Sequence, residues 1–533
     1  MAEITTTEGA RFPCVEGQAL LDALLAAGLF IESPCGGLGK CGKCRVRVMG
    51  DAVPAPVAEE QACLSGEELA AGWRLACALR PAEDMTVALP ESEGGHAILA
   101  EGYMPALTPD AVRGEAYGLA VDIGTTTVVV SLLDLRDGRE LGTEAMINPQ
   151  RGQGLDVLSR IAYAQEHGRE GRDALQRSIA GAIEDMALTL CGRCGVSPSL
   201  LGRIAVAANT TMLHLFLGVD PAPLGVRPFT PAFTRGRDVG AGEVGMARLA
   251  HARVMTLPLV SAYIGADIVA GAYVCGMRER RGSVLFIDIG TNGEMVLAHQ
   301  GRLLSCSCAA GPALEGMNIL CGMRAAEGAI EGVRIGPGGE VSLQVIGGVK
   351  PRGICGSGIL SALHEMLRCS LVAPNGRMAR ENELSPEDPR RPLCCARDGK
   401  PAILLAPDAV VTQGDVRQVQ LAKGAILSGV TALLERADLE PGGLDRVLVA
   451  GQFGAHLPAG DLMGCGLLPE ALDAARVEYV GNTSRTGACV ALLSQRSRED
   501  MEELAREIGH IELAEMEGYD RLFARCMRFP AGR

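Results

Sequence analysis

The sequence contains an internal repeat that strongly limits the folds available to the chain. The segment Leu119-Ala-Val-Asp-Ile-Gly-Thr-Thr-Thr-Val128 is echoed by Leu285-Phe-Ile-Asp-Ile-Gly-Thr-Asn-Gly-Glu294. In both copies an apolar, β-branched run of the kind found in buried strands leads into Asp-Ile-Gly-Thr, and a second strand-like run follows. Two such matches in the same context are improbable by chance. The repeat therefore predicts a domain built from two copies of one lobe.

The region around the repeat has the pattern of an α/β domain. Short apolar runs alternate with helical stretches from residue 118 to residue 533. The clearest helix is expected from about Val416 to Ala437, and Thr412 and Asp415 ahead of it fit a capping box.

Four cysteines near the N-terminus have the spacing of a metal cluster. Cys35, Cys41 and Cys44 form Cys-x5-Cys-x2-Cys, and Cys77 follows far downstream, which is close to the plant-type [2Fe–2S] pattern. Two irons require four thiolates, three from one loop and a fourth from a distant segment. A zinc site also accepts four cysteines and is the alternative. The spacing favours the [2Fe–2S] cluster.

Residues 1–92 read as short strands around one helix, expected over Gly17–Ala27. The order of strand, helix, metal loop and strand is that of an α+β, β-grasp ferredoxin. Residues 93–117 mix Gly, Pro and charge without periodicity, so they read as a linker. The expected organisation, in chain order, is a ferredoxin-like domain at 1–92, a linker at 93–117, a first lobe at 118–280, and a second lobe at 281–533 with an insertion near 325–410.

The charge and the N-terminus limit the partners and the location. The net charge is −14, which argues against nucleic acid as a partner. The first residues lack a basic stretch and an apolar core, and no apolar run is long enough to cross a membrane. We therefore expect a cytoplasmic protein without a membrane contact, whose 19 cysteines are thiols or cluster ligands.

The two copies of the repeat resemble the phosphate motifs of the actin, sugar-kinase and heat-shock-chaperone ATPase superfamily. That resemblance implies two ribonuclease H-like lobes that bind ATP and Mg²⁺. Asp122 and Asp288, at the strand ends, are the expected catalytic residues that hold Mg²⁺ or its waters. The resemblance assigns the phosphate contacts to the turn residues Gly124, Thr125, Thr126, Gly290, Thr291, Asn292 and Gly293.

Other segments match further elements of that superfamily. Gly451 and Gly454 fit its adenosine loop, although this chain separates the two glycines by two residues. The segments 208–212 and 481–487 resemble its connecting helices. Two interpretations stay open for residues 353–358, a phosphate-facing helix start and close helix packing. For Asp267, a role at a helix start is favoured over contact with the metal.

Three further cysteines suggest a second metal site. Cys306, Cys308 and Cys321 lie close in sequence. We expect Cys306 and Cys308 to point to opposite faces of a strand, and no fourth ligand is evident. Buried thiols are therefore the favoured interpretation.

The chain as a whole resembles the reductive activators of corrinoid-dependent methyltransferases, which join a [2Fe–2S] domain, a linker and an actin-like ATPase domain. The resemblance includes residues 208–218, 306–312 and 414–423. It implies ATP-dependent transfer of one electron from the cluster to an inactive cobalt(II) corrinoid protein, which returns to cobalt(I). The implied partners are that corrinoid protein and an upstream electron donor, and a homodimer is left open.

Two other functions stay open. One is activation of a different low-potential metalloenzyme, and the other is an ATP-dependent clamp that senses redox state.

Overall fold

The computed structural model divides the chain into two units, Met1–His96 and Ala97–Arg533. The structure describes residues 1–27, 29, 31, 37, 39, 42–50, 53–89, 107, 109–110, 116–397, 399–451 and 458–531. Cys35, Cys41, Gly454 and most of the expected linker at 93–117 lie outside the described residues. Within the described part of the chain, no helix is long and apolar enough to cross a membrane.

The described residues of the first unit form a five-stranded mixed sheet with three short helices. The strand order is β2-β1-β5-β3-β4, with β1 parallel to β5 and antiparallel to β2. Ile4, Leu20, Leu24 and Val87 are fully buried between the sheet and its first helix, as the apolar spacing predicts. The elements are β1 Ala2–Thr6, β2 Arg11–Cys14, α1 Leu20–Ala26, β3 Arg45–Met49, α2 Ala58–Cys63, α3 Gly66–Ala70, β4 Trp73–Leu75 and β5 Met85–Ala88.

The second unit begins with a lobe built on a six-stranded sheet, in the order β10-β11-β9-β6-β7-β8. Leu119, Ala120 and Val121 are all fully buried, so the central strand has both faces covered, which explains its continuous apolar sequence. The elements are β6 Tyr117–Ile123, β7 Thr127–Asp134, β8 Glu140–Ile147, α4 Val157–Glu166, α5 Gly168–Cys194, β9 Leu201–Ala208, α6 Thr210–Phe216, β10 Asp238–Gly240, β11 Arg253–Thr256 and α7 Ala266–Val274.

The second lobe repeats this design on a sheet in the order β22-β21-β12-β13-β14-β23. Two three-stranded sheets, β16-β15-β17 and β18-β19-β20, are inserted between its strands β14 and β21. The elements are β12 Val284–Ile289, β13 Gly293–His299, β14 Arg302–Cys308, β15 Ala329–Ile335, β16 Val341–Val345, β17 Gly353–Ile354, α8 Gly356–Arg368, β18 Cys394–Arg397, β19 Lys400–Ala406, β20 Ala409–Thr412, α9 Gln413–Arg436, β21 Arg446–Ala450, α10 Ala459–Gly464, β22 Val477–Gly481, α11 Thr483–Leu493, α12 Gln495–Glu507, β23 Ile508–His510 and α13 Tyr519–Cys526.

The internal repeat is visible in the two large sheets. Each contains an antiparallel meander, β6-β7-β8 or β12-β13-β14. The first strand of each meander then pairs in parallel with a later strand, β9 or β21. The predicted fold class, an α+β ferredoxin-like domain followed by a two-lobed α/β domain, is confirmed.

Helix α9 confirms the predicted cap. The Thr412 side chain accepts a hydrogen bond from the backbone N–H of Asp415, and the Asp415 carboxylate accepts one from the N–H of Thr412. The helix begins at Gln413, three residues before the apolar pattern starts, because the cap fixes its first turn.

The expectation for Cys306 and Cys308 is wrong. Both lie on β14, and residues two apart on a strand share one face of the sheet. Both side chains are buried, and their sulfurs contact the carbonyl oxygens of Gly429 and Gly293, respectively. Burial raises the pKa of both thiols, which fits the interpretation as buried thiols.

Candidate iron–sulfur and nucleotide sites

Cys44 and Cys77 are brought together by two neighbouring strands. Cys44 precedes β3, Cys77 follows β4 by two residues, and the strands pair antiparallel. The backbone N–H of Ala76 donates to the carbonyl oxygen of Cys44 at 2.8 Å. The two sulfur atoms lie 3.2 Å apart, and both side chains are buried. The sheet therefore places two of the four predicted cluster ligands side by side.

The Cys77 thiol is activated by its neighbour. The hydrogen bond from Cys44 lowers the pKa of Cys77 to about 7, against the opposing effect of burial. Because the thiolate is the form that binds metals, a lowered pKa favours metal ligation near neutral pH. Zinc and iron both bind such thiolates, so this pair fits either metal.

The described glycines of the cluster loop have a conformation that favours glycine. Gly37, Gly39 and Gly42 have φ values of +83°, +67° and +64°, in the left-handed region. A Cβ atom on Gly37 would lie 3.8 Å from the Cβ atom of Cys77. Gly37 therefore lies against Cys77, one of the expected cluster ligands. The half-buried Cys63 donates from its sulfur to the carbonyl oxygen of Gly39 at 3.3 Å, so it also lies against this loop.

The turn between β6 and β7, here called the first hairpin (residues 122–128), is held from behind by three side chains. Asn148 donates to the carbonyl oxygen of Gly124 at 2.8 Å. Arg160 donates to the carbonyl oxygen of Thr125 at 2.6 Å, and the amide of Asn209 donates to the Thr125 hydroxyl at 3.0 Å. Arg160 is fully buried, and burial lowers its pKa to about 9. These contacts fix the turn in one conformation.

Asp122 is held by the start of helix α11. Its two carboxylate oxygens accept hydrogen bonds from the side chains of Asn482 at 2.9 Å and Ser484 at 2.7 Å. Burial raises the pKa of Asp122, while these two bonds and the charge of Arg485 oppose that rise. The segment 481–487, expected as a connecting helix, therefore contacts the first hairpin directly.

The turn between β12 and β13, the second hairpin (residues 288–294), brings together Asp288, Glu294 and Gly451. Asp288 and Glu294 are direct partners in the antiparallel ladder. A Cβ atom on Gly451 would lie 2.6 Å from Oδ1 of Asp288. Burial, and then the charge of Asp122, raise the pKa of Asp288 to about 7. The predicted adenosine loop thus begins against the second hairpin.

Four carboxylates from both lobes influence one another. The pKa of Asp267, in the first turn of α7, rises to about 7 through burial, then the charges of Asp288 and Asp122. The pKa of Glu294 rises well above its usual range through burial, then the charges of Asp267 and Asp288. Asp267 is thus at a helix start, as expected, and also close to the two aspartates of the hairpins.

These carboxylates are suitable partners for a hard cation. Mg²⁺ takes oxygen ligands and is commonly held by one or two carboxylates plus substrate phosphates. Among the described residues, no three His, Cys, Asp or Glu side chains converge on one metal position.

Sequence reasoning missed two acidic residues of this site. Glu294 ends the second copy of the repeat, where the first copy has Val128. The sequence signal for Glu294 is that a charged residue stands near the start of a strand where the other copy of the repeat has an apolar one. The second is Glu315, which lies on a short 3₁₀ helix after β14. Its carboxylate accepts from the hydroxyl of Thr291 at 2.6 Å and from that of Thr126 at 3.3 Å.

The glycines at residues 353–358 are explained by close packing. A Cβ atom on Gly358 would lie 2.0 Å from the carbonyl oxygen of Ile330. The first turn of α8, which starts at Gly356, is buried against β15. The structure thus favours packing over a phosphate contact for this segment.

Family models match most of the chain. Residues 4–82 match the 2Fe-2S iron-sulfur cluster binding domain. Residues 117–280 match the middle region of RACo, and residues 282–533 match the C-terminal domain of RACo, the ASKHA domain.

Individual relatives agree with these models. The chain is 32% identical over 406 residues to the corrinoid activation enzyme RamQ of Eubacterium limosum, covering 75% of this chain and 68% of that protein. It is 26% identical over 443 residues to the [Co(II) methylated amine-specific corrinoid protein] reductase of Methanosarcina barkeri, covering 76% of each. A solved structure, the reductive activator for corrinoid,iron-sulfur protein, is 31% identical with a TM-score of 0.70, covering 99% of this chain and 98% of that one. The chain therefore belongs to the RACo family, whose members join an iron–sulfur domain to an ASKHA domain.

Proposed function

We propose that this protein is an ATP-dependent reductive activator. It transfers one electron from a [2Fe–2S] cluster to an inactive cobalt(II) corrinoid protein and returns it to cobalt(I), which reactivates a methyltransferase system. The observation that carries this proposal is the presence in one chain of paired thiols at Cys44 and Cys77 and of two facing hairpins with Asp122 and Asp288. The printed names of the relatives, a corrinoid activation enzyme and a cobalt(II) corrinoid protein reductase, agree with it.

The cluster would be held by Cys35, Cys41, Cys44 and Cys77. The match to the cluster-binding domain model supports iron over zinc. When bound, the cluster supplies a one-electron carrier of low potential. The residues of the chain supply thiolates, which the lowered pKa of Cys77 favours. They also supply a loop whose glycines allow backbone N–H groups to face the sulfur atoms.

Mg-ATP would bind between the two hairpins. Asp122 and Asp288 would hold Mg²⁺ or its waters, and the turn residues of the hairpins would contact the phosphates. Gly451 and Gly454 would lie beside the adenosine. Binding of a divalent cation would also offset the burial and the mutual repulsion that together raise the pKa values of Asp267 and Asp288 to about 7.

ATP is needed because the electron transfer is unfavourable by itself. A plant-type cluster has a reduction potential of about −400 mV, and the reduction potential of the cobalt(II)/(I) couple of a corrinoid is expected to be lower. Each ~100 mV uphill costs about 2.3 kcal/mol for one electron. The free energy with which the closed, nucleotide-bound protein binds its corrinoid partner would offset several such increments of about 100 mV.

The proposed partners are a corrinoid protein and an upstream electron donor in the cytoplasm. The net charge of −14 makes nucleic acid an unfavourable partner. A homodimer is compatible with this proposal and is not required by it.

The test is reduction of a corrinoid protein by the full chain. With a reductant and Mg-ATP, the cobalt(I) spectrum should form over many turnovers, and omission of ATP should stop it. Cys44→Ser should abolish the reaction, whereas the control Cys14→Ser, a buried thiol outside the ligand set, should retain it. Several corrinoid proteins should be tried. If none is reduced and ATP turnover ignores them all, a redox-sensing clamp becomes the better function.

A further inference from the structure

Glu315 is hydrogen-bonded to both hairpins, although the hairpins belong to different lobes. Its Oε1 accepts from the Thr291 hydroxyl at 2.6 Å, and its Oε2 accepts from the Thr126 hydroxyl at 3.3 Å. Both threonines are turn residues for which a phosphate contact is expected, although their hydroxyls donate to Glu315 here. The carboxylate therefore lies in the gap where the two hairpins meet.

The backbone fixes Glu315 to the second lobe. The N–H of Gly311 donates to the carbonyl oxygen of Thr291 at 2.8 Å, and the 3₁₀ helix Pro312–Glu315 follows directly. Gly316 ends this helix with a φ of +76°, and a Cβ atom on it would lie 2.2 Å from the carbonyl oxygen of Met323. The shorter bond to Thr291 and the longer bond to Thr126 agree with a residue anchored in one lobe that reaches toward the other.

A carboxylate is an unfavourable group for binding a phosphate. Like charges at contact distance repel, so Glu315 would weaken nucleotide binding if holding the nucleotide were its only role. A carboxylate within hydrogen-bond reach of a water molecule can, however, accept a proton from it as a general base. Asp122 and Asp288 differ, because they lie at the strand ends and are proposed to hold the metal.

We propose that Glu315 is the general base of the ATPase, an inference that rests on the proposed nucleotide site. In the hydrolytic step the oxygen of a water molecule forms a bond to the terminal phosphorus, and the bond from that phosphorus to its bridging oxygen breaks. ADP leaves with the bonding electron pair, and the water proton passes to the Glu315 carboxylate and then to solvent. Thr126 and Thr291 position the carboxylate.

This role makes hydrolysis depend on lobe closure. Glu315 keeps its bond to Thr291 whenever the second lobe is folded, because both lie in that lobe. Its bond to Thr126 requires the two lobes to be placed as they are in this structure, because Thr126 lies in the first lobe. The base is therefore fully oriented only in the closed protein.

The test separates nucleotide binding from hydrolysis in the full-length protein. Glu315→Gln keeps the size of the side chain and removes the base, so single-turnover ATP hydrolysis should fall by a factor of about 10² to 10⁴. The dissociation constant of a fluorescent ATP analogue should stay within about threefold or tighten, because a repulsive charge is removed. The matched control is Glu331→Gln, on β15 in the small inserted sheet, which should hydrolyse ATP normally. Glu315→Asp should recover part of the rate.

Two outcomes would overturn this assignment. One is hydrolysis by Glu315→Gln within threefold of the unaltered protein. The other is a parallel loss of nucleotide binding and hydrolysis, which would mean that Glu315 only supports the hairpins. Failure of the proposed function would look different, because the unaltered protein itself would then neither hydrolyse ATP nor reduce a corrinoid protein.

Discussion

Gly451 approaches Asp288 so closely that a side chain has no room between them. A Cβ atom on Gly451 would lie 2.6 Å from both Oδ1 of Asp288 and the carbonyl oxygen of Ile289. The φ of Gly451 is +95°, which also favours glycine. The end of β21 and the second hairpin are therefore matched in shape as well as paired in one sheet.

Gly451→Ala should weaken Mg-ATP binding. The new methyl group would displace Asp288 or the backbone of the hairpin, at a strain cost of about 1–3 kcal/mol. Isothermal titration with ATP should show the loss, and the visible spectrum of the cluster should be unchanged because the cluster lies in the other unit. The control is Gly460→Ala in α10, where a Cβ atom would meet nothing within 4 Å. Equal affinities in the two variants would contradict the predicted contact.

The nucleotide-free protein should lose stability as the pH rises toward 7. The pKa of Asp288 is raised to about 7 in the folded protein, above its value of about 3.9 in an unfolded chain. Between these values the folded state binds more protons than the unfolded state, so the free energy of unfolding falls as pH increases. The melting temperature of the second unit should therefore fall between about pH 4 and pH 7.

Asp288→Asn should flatten this pH dependence, because the amide does not titrate. Mg-ATP should stabilise the unaltered protein more strongly at pH 8 than at pH 6, since binding of the cation competes with protons. A melting temperature of the nucleotide-free protein that rises steadily from pH 5 to pH 7 would contradict the sign of this prediction.

Arg160→Lys should loosen the first hairpin. Arg160 donates from Nε to the carbonyl oxygen of Gly154 and from its two terminal nitrogens to Gln150, Met212 and Thr125. A lysine amine cannot reproduce this planar set of donors. We expect a loss of about 1.5–3 kcal/mol or more, since one hydrogen bond from a charged group is commonly worth that much. Chemical unfolding and nucleotide titration would measure it.

The control for Arg160→Lys is Arg169→Lys, since Arg169 is exposed and forms a salt bridge with Asp173 at 3.7 Å. That variant should change stability by less than about 0.5 kcal/mol. If both variants are equally stable, the buried arginine does not support the hairpin.

Serine at any of Cys35, Cys41, Cys44 or Cys77 should remove or distort the cluster, because each change deletes a thiolate. The measurements are the iron content of anaerobically purified protein and the electron paramagnetic resonance signal after reduction. Cys14→Ser and Cys63→Ser should retain about two irons per chain. Since Cys63 lies against the loop at Gly39, it is the more demanding control. Loss of iron in Cys63→Ser with retention in Cys77→Ser would reverse the assignment.

Local sequence pattern predicted the strands and turns of the site but not the side chains that hold them. The two hairpins were recognisable because Asp122 and Asp288 each follow a buried strand within a repeated segment. Arg160 could not be recognised as a support of the hairpin, because a lone arginine in an amphipathic helix is normally on the surface. Its burial depends on carbonyl groups 6 and 35 residues away, which no local pattern shows.

Glu315 was hidden for a similar reason. It lies three residues after a segment recognised for its resemblance, residues 306–312, but its partner Thr126 is 189 residues away. Contacts of that kind depend on how two lobes come together, and a repeat predicts the lobes without predicting their arrangement. The strand register of the second hairpin was likewise unpredictable from the first. Asp288 pairs with Glu294, six residues later, whereas Asp122 pairs with Val129, seven residues later.

The pairing of β3 with β4 also bears on how the protein acquires its iron. Because the ladder fixes Arg45 opposite Leu75, the strand pairing itself sets Cys44 beside Cys77, and a slip of one residue would turn one of them away. Iron delivery would therefore meet two adjacent thiols that the sheet itself holds, so the domain must reach its correct strand register before these two ligands can bind one cluster together.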